Sequence, residues 1–110
     1  MTDQELAELD LAVARAEGFP AELVPPAPRC IAERPPELGG TGLYQPTRDG
    51  AEAMRLLTTH SLTVGPAAED WWSCRANERD GKLPAVLGYA YGPTPAIAIC
   101  RAVVAIRGSK

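Results

Sequence analysis

Few side chains in this sequence could do chemistry. His60 is its one histidine, and a general base needs a positioned partner. Asp49, with the hydroxyl of Thr47 two residues before it, could hold a metal or a phosphate. Asp49 and His60 together would then suit a small metal-dependent hydrolase or nuclease. Each also has a plainer reading. Asp and Thr are standard helix N-caps, and an imidazole near a helix C-terminus is a common structural placement. Ser61 and Ser73 have no nucleophile-elbow context. Neither G-x-x-x-x-G-K-[ST] nor G-x-G-x-x-G occurs, and Gly39-Gly-Thr-Gly42 has no lysine after it. Cys30, Cys74 and Cys100 could in type join His60 around a zinc ion, but structural zinc sites draw ligands in closely spaced pairs, and these lie far apart. The residues name no catalytic group, no metal ligand and no cofactor, so core packing is the expected role of the thiols.

Binding has better candidates. In the run Asp70 to Ala76, Trp72, Cys74 and Ala76 alternate with Trp71, Ser73 and Arg75, the period of a strand. One tryptophan is therefore expected in the core and Trp71 on the opposite face. That face is either covered by a further helix, since the following strand is apolar on both sides, or open. If open, Trp71 with Tyr89 or Tyr91 is an aromatic anchor of the kind enriched at interfaces. Arg75 and Arg101 could add hydrogen bonds there. Trp71, Arg75, Tyr89 and Tyr91 are the expected interaction surface. Single-stranded nucleic acid could stack on such aromatics, but a formal charge of −3 lacks the usual basic groove.

The elements that must position these residues can be read from caps and periodicity. Thr2 and Glu5 form a capping box, with Leu6, Leu9, Val13 and Ala16 as an apolar stripe. Gly18 and Pro20 close that helix. Pro20, Pro25, Pro26, Pro28, Pro35, Pro36 and Pro46 then mark residues 19–46 as a surface loop. Within it, Arg29 to Glu33 could be an edge strand. A second helix starts at Thr47 or Asp49, carries Ala53, Met54, Leu56 and Leu57, and ends in Thr58-Thr-His-Ser61. Leu62 to Val64 is a short strand. Trp71 to Ala76 is another, joined through a turn at Asp80-Gly81 to a returning strand from Leu83 to Tyr91. Thr94 caps the last helix and Pro95 takes its first position. Ala96 to Ile106 is apolar nearly all round, which places this helix at the centre of the packing.

Composition bounds what remains. The chain has 110 residues, of which 11 are proline and 10 glycine, an excess that implies long connections without wholesale disorder. The length suits one domain across residues 1–110. No apolar run approaches the ~18 residues of a membrane span, and an acidic start is unlike a secretory signal. Three unpaired thiols point to a reducing cytoplasm. The expected fold is α+β: a small layered α/β/α sandwich with about three helices around a three- to four-stranded, mainly antiparallel sheet.

Three stretches together resemble the phage ABA sandwich domain, a family of small phage- and prophage-encoded proteins. They are Leu6 to Gly18 followed by Phe19, then Tyr44-Gln-Pro-Thr-Arg-Asp49 leading into a helix, and Pro95-Ala-Ile-Ala-Ile-Cys-Arg-Ala102. The second matches a Tyr-Ser-Thr-Asp-like run of that family and the third its Pro-Leu-Ala-Ile-Cys-Arg-Ala run. The likeness spans about residues 3–106, and the Pro-rich 19–46 loop is longer than the pattern. The resemblance implies an α/β/α sandwich of phage or prophage origin, in the cytoplasm of a bacterial host cell, and no established activity. The expected function is a non-catalytic accessory module that binds a protein partner or a second copy of itself.

Overall fold

The first helix, α1 (Asp3–Ala16), is closed at both ends by its own sequence. Thr2 N–H donates to Glu5 Oε1 at 3.0 Å, and Glu5 N–H donates to Thr2 Oγ1 at 3.1 Å. At the other end Gly18 takes φ 82°, which only glycine enters without strain. Gly18 N–H then reaches the Arg15 carbonyl and Phe19 N–H the Ala14 carbonyl, a Schellman motif. The computed structural model describes residues 2–25, 28–77 and 90–108.

The residues 19–46 carry more regular structure than their prolines suggest. Strands β1 (Ala21–Val24), β2 (Arg29–Ala32) and β3 (Gly42–Leu43) form an antiparallel sheet in the order β1-β2-β3. The segment from Arg29 is thus the central strand, not an edge. The prolines flank it, at Pro28 and Pro35, so β2 keeps its own N–H groups for both neighbours: Ile31 faces Glu22 on one side and Leu43 on the other. Cys30 and Ala32 point inward and are fully buried.

Helix α2 (Gly50–Thr59) begins at Asp49, whose Oδ1 accepts from Ala51 and Glu52 N–H. Thr47, the other expected cap, lies before the helix and is buried. Strand β4 (Leu62–Ala68) runs through Gly65-Pro66, where the sequence suggested a break. Among the described residues β4 is an edge strand, so the absent N–H of Pro66 costs no ladder bond on its outer side. The register shifts between Pro66 and Ala68, as at a bulge. A tight turn at Glu69-Asp70 returns the chain as β5 (Trp71–Ala76), and β6 (Ala90–Gly92) pairs antiparallel on its far side. The expected turn at Asp80-Gly81 and the start of the returning strand lie outside the described residues. Helix α3 (Pro95–Gly108) is capped by Thr94, whose Oγ1 accepts from Ile97 N–H at 3.2 Å.

The class is the expected α+β one, with three helices and short antiparallel strands, here divided between two three-stranded sheets. Helix α3 lies at the centre. It packs on β4, β5 and β6 on one side and on α1 and α2 on the other, while α1 rests on β1 and β2. Its Ile97, Ala98, Ile99, Cys100, Ala102 and Val103 are all buried. Because α1 is covered from two directions, its buried line is Ala7, Asp10, Val13 and Ala14. Leu6 and Leu9, expected at the core, are half-buried at its margin. No helix among the described residues is long and apolar enough to cross a membrane.

Candidate interaction surface

The strand period places the aromatic residues. On β5, Trp72, Cys74 and Ala76 face α3 and the core, and Trp71, Ser73 and Arg75 face away. Tyr91 stands across the ladder from Ser73, so it shares the outer face. Trp71 and Arg75 are its two diagonal neighbours, at ~7–8 Å between backbones, within reach of long side chains. Thr63 and Gly65 on β4, opposite Arg75 and Ser73, complete the face. Trp71 and Tyr91 are each 48% exposed, and Arg75 is exposed as well. The helical cover that apolar patterning suggested for this face does not bury them. Tyr89, the fourth expected residue, lies outside the described residues.

The two arginines have different roles. Arg75 Nη1 makes a long hydrogen bond, 3.4 Å, to the Ala76 carbonyl, and the residue is exposed. Arg101, by contrast, donates from Nη1 to the Tyr91 carbonyl at 2.7 Å and so fastens β6 to α3. It holds the surface in place from behind. Gly92 makes the same junction tight: a Cβ there would lie 2.8 Å from the Ala98 nitrogen.

The expected hydrolase pair does not converge. Asp49 caps the N-terminus of α2 and His60 its C-terminus, which at 1.5 Å per residue puts them about 16 Å apart. Asp49 spends one carboxylate oxygen on the helix start. Cys30, Cys74 and Cys100 are buried and unpaired on β2, β5 and α3. Burial pushes the thiols of Cys30 and Cys74 up to about 11 and raises that of Cys100 too, so all three stay protonated at neutral pH. Among the described residues, no three His, Cys, Asp or Glu side chains gather closely enough to hold a metal.

What His60 does join is a largely half-buried run of acidic and basic side chains that sequence reasoning missed. His60 Nε2 lies 3.2 Å from Glu17 Oε2, and Glu17 Oε1 accepts from Arg55 at 3.1 Å. Arg55 bonds Glu52 at 2.8 Å, and Glu52 meets Arg34 at 3.3 Å. Burial pushes the Glu17 carboxyl up, but the contacts from His60 and Arg55 outweigh it and hold the group below the ordinary 4.5. The Arg34 guanidinium also lies 4.8 Å over the Tyr44 ring, and Phe19 meets that ring edge-on at 6.1 Å. Only the Glu52–Arg55 spacing, i to i+3 on one helix, was visible in sequence. The other members come from residues 17, 34 and 60, which only the fold brings together. The run joins the ends of α1 and α2 to the segment after β2, and its tight internal pairing is that of a structural tie.

Cavities also open among the described residues. One of about 450 Å³ lies between the first turns of α2 and α3, over Ala53, Met54, Pro95 and Ile99. Another of about 440 Å³ lies against β1 and β2. Neither is lined by Asp49, His60 or a cysteine. No family model matches the chain, and no curated protein is significantly similar to it.

Proposed function

We propose that this chain is a non-catalytic interaction module that presents the outer face of the β4–β5–β6 sheet to a protein partner. One observation carries the reading: Trp71 and Tyr91 stand together, half-exposed, on a face stiffened by α3 behind it. Two large rings held on a rigid sheet lose little conformational entropy on contact, and aromatic and Arg side chains supply most interface hot spots. The acidic balance favours a protein over a phosphate backbone as the partner. A phage or prophage origin, as an accessory protein in the cytoplasm of a bacterial cell, is supported by the resemblance of the Leu6–Phe19, Tyr44–Asp49 and Pro95–Ala102 stretches. Free, protonated cysteines agree with a reducing compartment.

A photocrosslinking side chain introduced in bacterial cells at Thr63, on the open face, tests the assignment against one at Met54. Met54 is also exposed, at 55%, but lies on α2. Discrete protein adducts are expected from Thr63 and not from Met54. Adducts from Met54 alone would move the working surface to the helical side and overturn the reading.

A further inference from the structure

We infer that the protein partner of this face is a second copy of the chain, docked face to face about a two-fold axis. The inference rests on the reading of the face as an interaction surface and names its occupant. The arrangement of the face itself points to a copy of the same face. Ser73 is the midpoint of the outward row Trp71, Ser73, Arg75, and across the ladder from it stand Gly65 on one side and Tyr91 on the other. A two-fold axis lying between two copies, along the Gly65–Ser73–Tyr91 line, exchanges the two ends of that row. Each Trp71 then lies over the partner's Arg75, a cation–π contact, and each Tyr91 meets the partner's Tyr91 beside the axis.

Charge follows the same exchange. Glu69 and Asp70, both exposed, form the turn immediately before Trp71, and Arg75 stands at the opposite end of β5. The axis therefore brings the acidic turn of each copy to the guanidinium of the other. The other in-plane axis, running along β5, would set Arg75 on the partner's Arg75 and turn on turn, which like charges oppose. Gly65 and Ser73 are small, so the β4–β5 part of the middle line is low and only Tyr91 rises from its β6 end.

The size of the face sets the strength. Two strands of about six residues at ~3.3 Å, with the three described residues of β6 beside them at ~4.8 Å, give a patch of at most roughly 20 by 14 Å, well short of the ~800 Å² per partner of a standard stable interface. The dimer is thus weak, transient and concentration-dependent.

Sedimentation equilibrium of the purified full chain from about 10 μM to about 1 mM tests this. The mass is expected to rise from one chain toward two. Glu69→Arg and Arg75→Glu, each at an exposed position, are expected to raise the midpoint about ten-fold or more. Glu69 is chosen over Asp70, whose φ of 63° makes its backbone particular. An equimolar mixture of the two variants is expected to associate again. In the mixed pair one crossing keeps its native charges and the other has them reversed, so both attract. Circular dichroism identical to the native chain shows that the variants fold. Native protein that stays a single chain at 1 mM overturns the dimer, as does association untouched by either substitution or unrecovered in the mixture. A single-chain result leaves the Thr63 crosslinking outcome to decide the interaction surface separately.

Discussion

Glu17 is where a single side chain does the most to join separate parts of the molecule. It accepts from Arg55 and lies against His60 with its side chain only 9% exposed, and its carboxyl is held below the ordinary 4.5. A depressed carboxyl stabilises the fold above its ordinary value, and that contribution disappears as pH falls through the folded value. Glu17→Gln should therefore be less stable than the native chain at pH 7, with the gap closing below about pH 4.5, as urea midpoints across pH would show. Asp10 behaves in the opposite sense. Burial raises its carboxyl above the ordinary 3.8, against the hydrogen bond it accepts from Thr47 N–H at 3.0 Å. Its stabilising contribution is complete at low pH and is lost as pH rises through the raised value. Asp10→Asn, which keeps an acceptor for Thr47, should gain on the native chain as pH climbs from about 4 toward 7. A third test removes the carboxylate shared by two arginines of the same run as Glu17. Glu52→Ala leaves Arg34 and Arg55 without their shared carboxylate at side-chain exposures of 10% and 25%, and should cost about 2–4 kcal/mol in chemical denaturation. Of these roles only the Glu52–Arg55 pairing, three residues apart on one helix, was legible in the sequence. Asp10 reads as one polar residue on a helix, and its partner lies 37 positions away.

Among the elements, the helices declared themselves and the sheets did so only in part, for a physical reason. A helix end is a local object: Thr2 with Glu5, Gly18, Asp49 and Thr94 each satisfy backbone groups within a few residues, so the signal sits in one short window. The alternation from Trp71 to Ala76 is likewise local, which is why the division into a core face and an outer face could be read in advance. Strand pairing is not local. Nothing in Arg29 to Ala32 itself says that Leu43 will supply its second neighbour, and the prolines around it argue misleadingly for an edge. The β4–β5 turn was hidden in the same way, because Gly65-Pro66 looks like an end when it lies within an edge strand. One element contact has a sharp mutational signature. At Gly92 an added methyl group would meet the Ala98 nitrogen at 2.8 Å and Ile97 Cγ2 at 2.9 Å, against α3 backbone that cannot give way. Gly92→Ala should lower stability by about 1–3 kcal/mol, measurable as a shift in Tm. The same substitution should weaken partner binding, since β6 carries Tyr91.

At the scale of the whole molecule, helices lie between two small sheets, and that arrangement leaves the outer face of β4–β5–β6 to solvent. A thin, mostly aliphatic core has kept few aromatic side chains for itself: Tyr44 is buried, whereas Trp71 and Tyr91 are turned outward. The adjacent tryptophans provide an internal comparison, because Trp71 points to solvent and Trp72 packs against the core. Their two indole N–H signals, assigned through Trp71→Phe, can be followed by NMR as partner is added or as the chain's own concentration is raised. The Trp71 signal is predicted to shift or broaden with binding while that of Trp72 moves little. Binding that leaves the Trp71 indole unmoved would contradict the assignment of this face.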